Sequence, residues 1–414
     1  MKKIFFLFSL CVLIHFANGQ ILKKVTDRVK NKVDNTVDKT ADDAMNPNKN
    51  KNAIDSTNNQ NTTATDNNSG SGPATLKTYS KYDFVPGERI IVFEDFAQDA
   101  VGDFPDKWNT NAAGEVMTIE GKQGHWFAIG KTGVYMPDFI DSLPDDFTLE
   151  FDMLVDKPVH SWGIDVNLTQ LPDRNHPADW SYAKNNFSLN ILPGSPDFNN
   201  NGTSSYKKKK NGVEESSNTT KLTQFIDISR PVHVAFWRQK ERLRVYLNEE
   251  KTWDVPKAIL PEAKLNSLVF NIPTSNDQWY YLITNLRLAI GAPDTRKKIL
   301  EQNKWVTHGI LFDVNSDKIK PESYGTLKEM ANVLKEYGDL KVKIVGHTDA
   351  DGKDDANLDL SKRRAASVKA ALAKEFGIDE GRMETDGKGE SEPIDKNDTP
   401  AGKANNRRVE FVKI

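Results

Sequence analysis

The chain has 414 residues, enough for about two ordinary domains and their connections. Its 56 basic and 59 acidic side chains leave a net charge of −3 at neutral pH, so there is no chain-wide basic excess to release phosphate counterions and nucleic acid is excluded as a partner class. The only cysteine, Cys11, lies within the first twenty residues, so the chain beyond them has no thiol for a disulfide, a sulfur-bound metal or a nucleophile.

Residues 1–19 join a short basic start, an apolar run from Ile4 to Phe16 and the small residues Ala17 and Gly19. This is the layout of a secretory signal cleaved after Gly19, and the run is shorter than the roughly 20 apolar residues a membrane span requires. Leu10, not a small residue, precedes Cys11, which argues against lipid attachment there. Residues 20–78 are expected to form a flexible, partly helical linker. Val25, Val29, Val33 and Val37 make too narrow a stripe to hold a short helix on their own. Residues 46–74 are almost wholly Asn, Thr, Asp, Ser, Gly and Lys, with too little to bury to offset the entropy of ordering.

From 79 to 292 the pattern changes to short alternating or aromatic runs broken by Gly, Pro, Asn and Asp: ERIIVFEDF, EVMTIEG, HWFAIG, FTLEFDMLV, WGIDVNL, FSLNIL, HVAFWRQ, RLRVYLN, SLVFNI and YYLITNLRLAI. So many strands at this spacing predict a two-layer antiparallel β-sandwich. The wording and order of FEDF, DFTLEFDML, RLRVYLNEEK and NLRLAIG resemble the concanavalin-like or laminin-G-like jelly-roll sandwiches. Seven of the eight tryptophans fall here. Trp237, inside HVAFWRQ, reads as core, whereas Trp162 and Trp180 beside LPDRNHPADWSY are candidates for the rim of a glycan or protein site. The loop 199–220, with Lys207 to Lys210, reads as a solvated surface insertion.

Glu150 and Asp152 lie two apart on one side of a strand, as paired acids do in sandwich-fold glycoside hydrolases. Leu154 and Val155 stand where those enzymes place their second Glu, so the acids are expected on the solvent face, opposite Phe151 and Met153. The chain has no HExxH pair, so zinc is not expected; Asp and Asn loops of the sandwich leave calcium open, but no twelve-residue acidic loop of EF-hand spacing occurs and no metal or cofactor is assigned.

Residues 293–308 read as a second linker, and 309–414 alternate strand and helix. GILFDV reads as the first strand, Pro321 opens a helix along Tyr324, Leu327, Met330, Leu334 and Tyr337, and KVKIVGH is the second strand. Leu358 to Phe376 is the second helix, with Leu358, Ala365, Val368 and Leu372 inward, and RMETDGKG and RRVEFVKI complete a β-α-β-α-β-β sheet. Within it, Asp349 follows the second strand, and Asn357 and Arg364, seven apart, share a face of the next helix. An acid for an ammonium and an arginine fork for a carboxylate suit a zwitterionic amino-acid end.

The pieces ILFDVNSDKIKPES, GHTDADG, NLDLSKRRAASVKAAL, GIDEGRMETDGKGESEPI and NDTPAGKANNRRVEFVKI, in this order, resemble the OmpA-like C-terminal domain. That resemblance implies a peptidoglycan-binding module in which Asp349 and Arg364 hold the zwitterionic end of diaminopimelate in the stem peptide, with Asn357 and Arg407 near the same pocket. Asp351 departs from the Thr or Asn often found two residues after the acid. The resemblance implies a non-enzymatic envelope protein of a Gram-negative cell, outer-membrane-associated or periplasmic. The alternative is a wall-anchored glycoside hydrolase or lyase acting through the sandwich. A motor stator would need a membrane helix beyond the signal, and none is legible.

Overall fold

The computed structural model describes residues 82–155, 163–194, 202–225, 229–274, 280–291 and 294–414. The expected signal at 1–19, the linker at 20–78 and the rim residue Trp162 lie outside the described residues.

The first strands are β1 (Arg89–Glu94), β2 (Trp108–Thr110), β3 (Gly114–Met117), β4 (Trp126–Ile129) and β5 (Gly133–Pro137). They are followed by β6 (Asp146–Val155), β7 (Ile164–Thr169), β8 (Asn186–Leu192), β9 (Gly202–Lys210) and β10 (Val213–Leu222). Then come β11 (Val232–Gln239), β12 (Arg242–Leu247), β13 (Glu250–Val255), β14 (Ser267–Ile272) and β15 (Tyr281–Ile290). One sheet has the order β13-β12-β11-β6-β15-β4-β3, with β1 attached to β15, and the other runs β10-β9-β8-β7-β14-β5-β2. Every pairing in both is antiparallel. One apolar cluster draws on both sheets, and Phe151 of β6 meets Phe270 of β14 edge-on at 5.3 Å between ring centroids.

The stretch 199–220 is a correction. Its described part is not a surface loop but the hairpin β9–β10 at the edge of the second sheet. Asn211 and Gly212 both take positive φ, 50° and 85°, the backbone that a two-residue turn of primed type needs. Cross-strand charges then pair, with Lys210 Nζ 3.4 Å and Lys208 Nζ 3.6 Å from Glu215 Oε2. The lysine run obscured a turn signal that the Asn-Gly pair carried. β2 and β5 are short strands that the run-based reading passed over, whereas RLRVYLNEEK does turn from β12 into β13.

The C-terminal part carries β16 (Lys304–Thr307), β17 (Val342–His347), β18 (Met383–Gly389) and β19 (Val409–Lys413) in the order β16-β19-β17-β18, with only β17 and β18 parallel. Its helices are α1 (Thr295–Glu301), α2 (Tyr324–Glu336), α3 (Asp354–Phe376) and α4 (Pro400–Asn406). α3 ends on Gly377 in the left-handed conformation, φ 69°, where glycine caps without strain.

Two expectations change here. The described part of 293–308 is not a linker: it holds α1 and β16, and Trp305 of β16 stacks on Phe411 of β19 at 5.5 Å. The first strand is therefore KWVT, and GILFDV runs as an irregular segment beside α2, with Ser323 Oγ accepting from the Leu311 amide at 2.8 Å. Only Gly309 and Ile310 of this run are buried; Leu311 and Phe312 are half-buried, Val314 is exposed, and one isolated bridge from Phe312 to Ile319 stands where the expected strand would have made a ladder. Leu358, expected inward, is 38% exposed, whereas Ala365, Val368 and Leu372 are fully buried.

A second apolar cluster crosses between the two parts. Tyr82, Phe84, Ala235 and Tyr246 join Met330, Leu334, Ile344, Val368 and Phe411 in it. Trp237, expected in the core, is half-buried against this cluster and lies under Arg244, whose guanidinium is 4.7 Å from its ring centroid. Gly325 at the start of α2 sits so close to the backbone of Phe84 that any side chain there would overlap the Phe84 carbonyl.

Candidate functional site

β17 ends at His347, and the chain passes through Thr348 and Asp349 into the turn before α3. α3 lies tight against β17 because Gly346 has no side chain to push back the Ser361 carbonyl. Ser361 locks the contact, accepting from the Gly389 amide at 2.9 Å and donating to the Leu358 carbonyl at 2.8 Å.

Asp349 is 8% exposed. Its Oδ2 accepts from Arg407 Nη1 at 2.5 Å and its Oδ1 from the Asp351 amide at 3.2 Å. Asn357, also buried, donates from Nδ2 to the carbonyls of Asp349 and Asp351 and to Glu390 Oε2, so its amide shapes the turn. The extra charge of Asp351 is taken up by Lys403, whose ammonium donates to both carboxylate oxygens at 2.7 and 3.0 Å.

Arg364 donates from Nε to the Ser316 carbonyl at 2.9 Å and lies over the Phe312 ring, 4.8 Å from its centroid. Its two terminal nitrogens take no hydrogen-bond acceptor among the described residues. Burial first, and then the like charge of Arg407, bring its guanidinium down to about 10. A half-buried arginine beside another arginine, with its fork unspent, is prepared for an anion. Asp349, Asn357, Arg364 and Arg407 all line one cavity of about 470 Å³, within the usual size of a small-molecule pocket. Thr348 Oγ, on the same cavity and buried, has no hydrogen-bond partner among the described residues.

The opposite wall belongs to the two-sheet part, and sequence reasoning missed it. Glu150 and Asp152 do lie opposite Phe151 and Met153, but that face is covered by the C-terminal part, not by water: Glu150 is 2% exposed. The expectation that these acids are solvated is therefore corrected. Arg287 grips Glu150 with two bonds, Nε to Oε1 at 3.1 Å and Nη2 to Oε2 at 2.6 Å. His233 joins the pair, with Nε2 3.2 Å from Glu150 Oε2 and Nδ1 2.8 Å from Asp152 Oδ1. Asn285 Nδ2 donates to Asp152 Oδ2 at 2.7 Å from a bulge in β15, where its φ is 54°. Burial acts to neutralise His233, but the hydrogen bonds and charges of Asp152 and Glu150 outweigh it and push the imidazole up to about 10. Burial likewise acts to raise both carboxyls, yet Arg287 holds Glu150, and His233 holds Asp152, below the ordinary range. Glu150, Asp152 and His233 are thus charged at neutral pH, and their hydrogen-bonding groups are taken up by one another, by Arg287 and by Asn285. Glu150 has no proton to give and no free lone pair aimed at a substrate, which is unsuited to acid–base chemistry.

The alternation in DFTLEFDMLV assigns the acids to the right face. What covers that face is set by partners as distant as His233 and Arg287, 83 and 137 residues from Glu150, which no local pattern encodes. Among the described residues no group of His, Cys, Asp and Glu is placed to hold a metal ion, and no helix is long and apolar enough to cross a membrane. Trp180, half-buried, lines a separate cavity of about 490 Å³ with Asp165, Asn186, Asn190 and the β9 lysines.

Residues 311–407 match the model of the OmpA family, and the chain carries an OmpA-family domain at this end. Outer membrane porin F of Pseudomonas aeruginosa is 42% identical over 101 residues, which are 24% of this chain and 29% of that protein. The probable lipoprotein YiaD of Escherichia coli is 45% identical over 105 residues, 25% of this chain and 48% of the relative. This chain therefore spans less than half of either relative. The crystal structure of the peptidoglycan-associated lipoprotein from Burkholderia pseudomallei is 26% identical, covering 29% of this chain and 98% of that one, with a TM-score of 0.25.

Proposed function

We propose that this is a non-enzymatic cell-envelope protein, exported and outer-membrane-associated or periplasmic, whose domain 309–414 binds peptidoglycan. The ligand is the zwitterionic end of diaminopimelate in a stem peptide, its carboxylate on Arg364 and its ammonium beside Asp349. Arg407 steadies Asp349, and Asn357 holds the turn that presents it. The observation that carries this reading is the unspent fork of Arg364, half-buried and lining a cavity shared with Asp349 and Arg407. The outer-membrane relatives over the same residues support the location. The region 79–292 is read as a concanavalin-like jelly-roll that serves as a binding domain. The hydrolase or lyase alternative is not favoured, because Glu150 and Asp152 are saturated by Arg287, His233 and Asn285.

Sedimentation with purified peptidoglycan sacculi tests the reading. The native chain is expected in the pellet, and Arg364→Ala and Asp349→Ala in the supernatant. Equal retention of all three would remove the site assignment.

A further inference from the structure

The cavity at Arg364 is lined by both parts of the molecule. On the far side from Asp349 stand Asp152, His233, Asn285 and Arg287 from β6, β11 and β15, and Lys320 and Glu322 border the same space. Arg287 Nη1 donates to the His308 carbonyl at 3.3 Å, and Phe93 of β1 lies under Arg407, 5.1 Å from ring centroid to guanidinium carbon. These contacts fix the far wall against the C-terminal part.

Two groups facing the cavity are not used up by the internal pairing of that wall: Asn285 of β15, on the wall itself, and Lys320, on the C-terminal segment that leads into α2. Asn285 spends Nδ2 on Asp152, while its Oδ1 accepts nothing from the described residues. Lys320 is half-buried and borders the same cavity, where its charge reaches Asp152 without a direct ion pair among the described residues. The four-group network of Glu150, Asp152, His233 and Arg287 sums to zero charge, and Lys320 and Glu322 add one charge of each sign on the same cavity, so the ammonium of Lys320 is a local cation on an otherwise balanced surface. A ligand reaching from Arg364 across the cavity meets an amide acceptor and a second cation.

We propose that the two-sheet part is one half of the binding site, and that the ligand is a peptide with a second carboxylate. Its zwitterionic end sits at Asp349 and Arg364, a main-chain N–H of the preceding segment donates to Asn285 Oδ1, and a second carboxylate pairs with Lys320. This rests on the peptidoglycan reading of the Arg364 end and extends it: the domain reads the peptide before the terminal residue as well as the residue itself. A peptide N–H and a carboxylate are the groups that an amide oxygen and an ammonium complement.

Calorimetric titration of the full chain with two probes, free meso-diaminopimelate and the stem tripeptide that ends in it, tests the proposal. Asn285→Gly keeps the positive φ that glycine adopts without strain, and Lys320→Ala removes only a partly exposed side chain. Each is expected to weaken the tripeptide about tenfold and leave free diaminopimelate unchanged, while Arg364→Ala loses both probes. Native-like tripeptide binding in both wall variants, with loss in Arg364→Ala, would overturn the proposal and leave the peptidoglycan reading standing. Equal weakening of both probes in the wall variants would also overturn it, because the wall would then act on the charged end alone. Undiminished binding of both probes in Arg364→Ala would instead remove the reading on which it rests.

Discussion

Asn405 holds Ile90 by both of its backbone groups: its Nδ2 donates to the Ile90 carbonyl at 2.9 Å and its Oδ1 accepts from the Ile90 amide at 3.0 Å, across 315 residues of sequence. Ile90 lies on β1, an edge strand paired only with β15, so one side-chain amide from α4 does the work of a neighbouring strand. Asn405→Ala leaves both groups buried and unpaired, at about 1–3 kcal/mol each. Urea denaturation is expected to show that loss, and a variant within about 0.5 kcal/mol of native would contradict it.

His233 makes stability depend on alkaline pH. Its folded value of about 10 stands above the ordinary 6.5, so its contribution is complete below 6.5 and is lost as pH rises through 10. Denaturation midpoints are expected to fall across that window in the native chain and to fall less in His233→Gln. Parallel curves would show that the imidazole is not held protonated. Glu150 and Asp152, lowered in the folded state, act in the opposite sense: their contribution is present above their unfolded values and is lost on acidification.

Gly325→Ala tests the seam between the two parts. The added methyl meets the Phe84 carbonyl, which is backbone and cannot rotate away. Overpacking of this kind costs about 1–3 kcal/mol. The drop is expected in the unfolding midpoint, and an unchanged midpoint would mean that the seam opens at no cost.

Phe93→Leu keeps apolar bulk under Arg407 but removes the ring face. The stacked guanidinium is worth about 0.5–1 kcal/mol at a partly exposed site, so affinity for sacculi is expected to fall two- to fivefold. A tenfold or greater loss would mean that Phe93 does more than steady Arg407.

Much of the architecture was legible because it is local. Phe147, Leu149, Phe151 and Met153 alternate with Thr148, Glu150 and Asp152, and the first set fills the core between the sheets. The charged ends of the cavity were legible too, since Asp349, Asn357 and Arg364 fall within sixteen residues and helical spacing brings the last two to one face. What stayed hidden depends on contacts between distant segments. The bond from Arg407 to Asp349 spans 58 residues, and the cover over Glu150 spans more than 130. KWVT gave no strand signal because its four residues are too few to show a period, and only Phe411 across the ladder explains Trp305.

The shared apolar cluster around Phe84, Tyr246, Met330 and Phe411 has a mechanical consequence. A pull applied at Arg364 passes to the β-sheets through this cluster of packed side chains. It loads packed side chains and the β16–β19 ladder in shear, so the described residues respond as a stiff body.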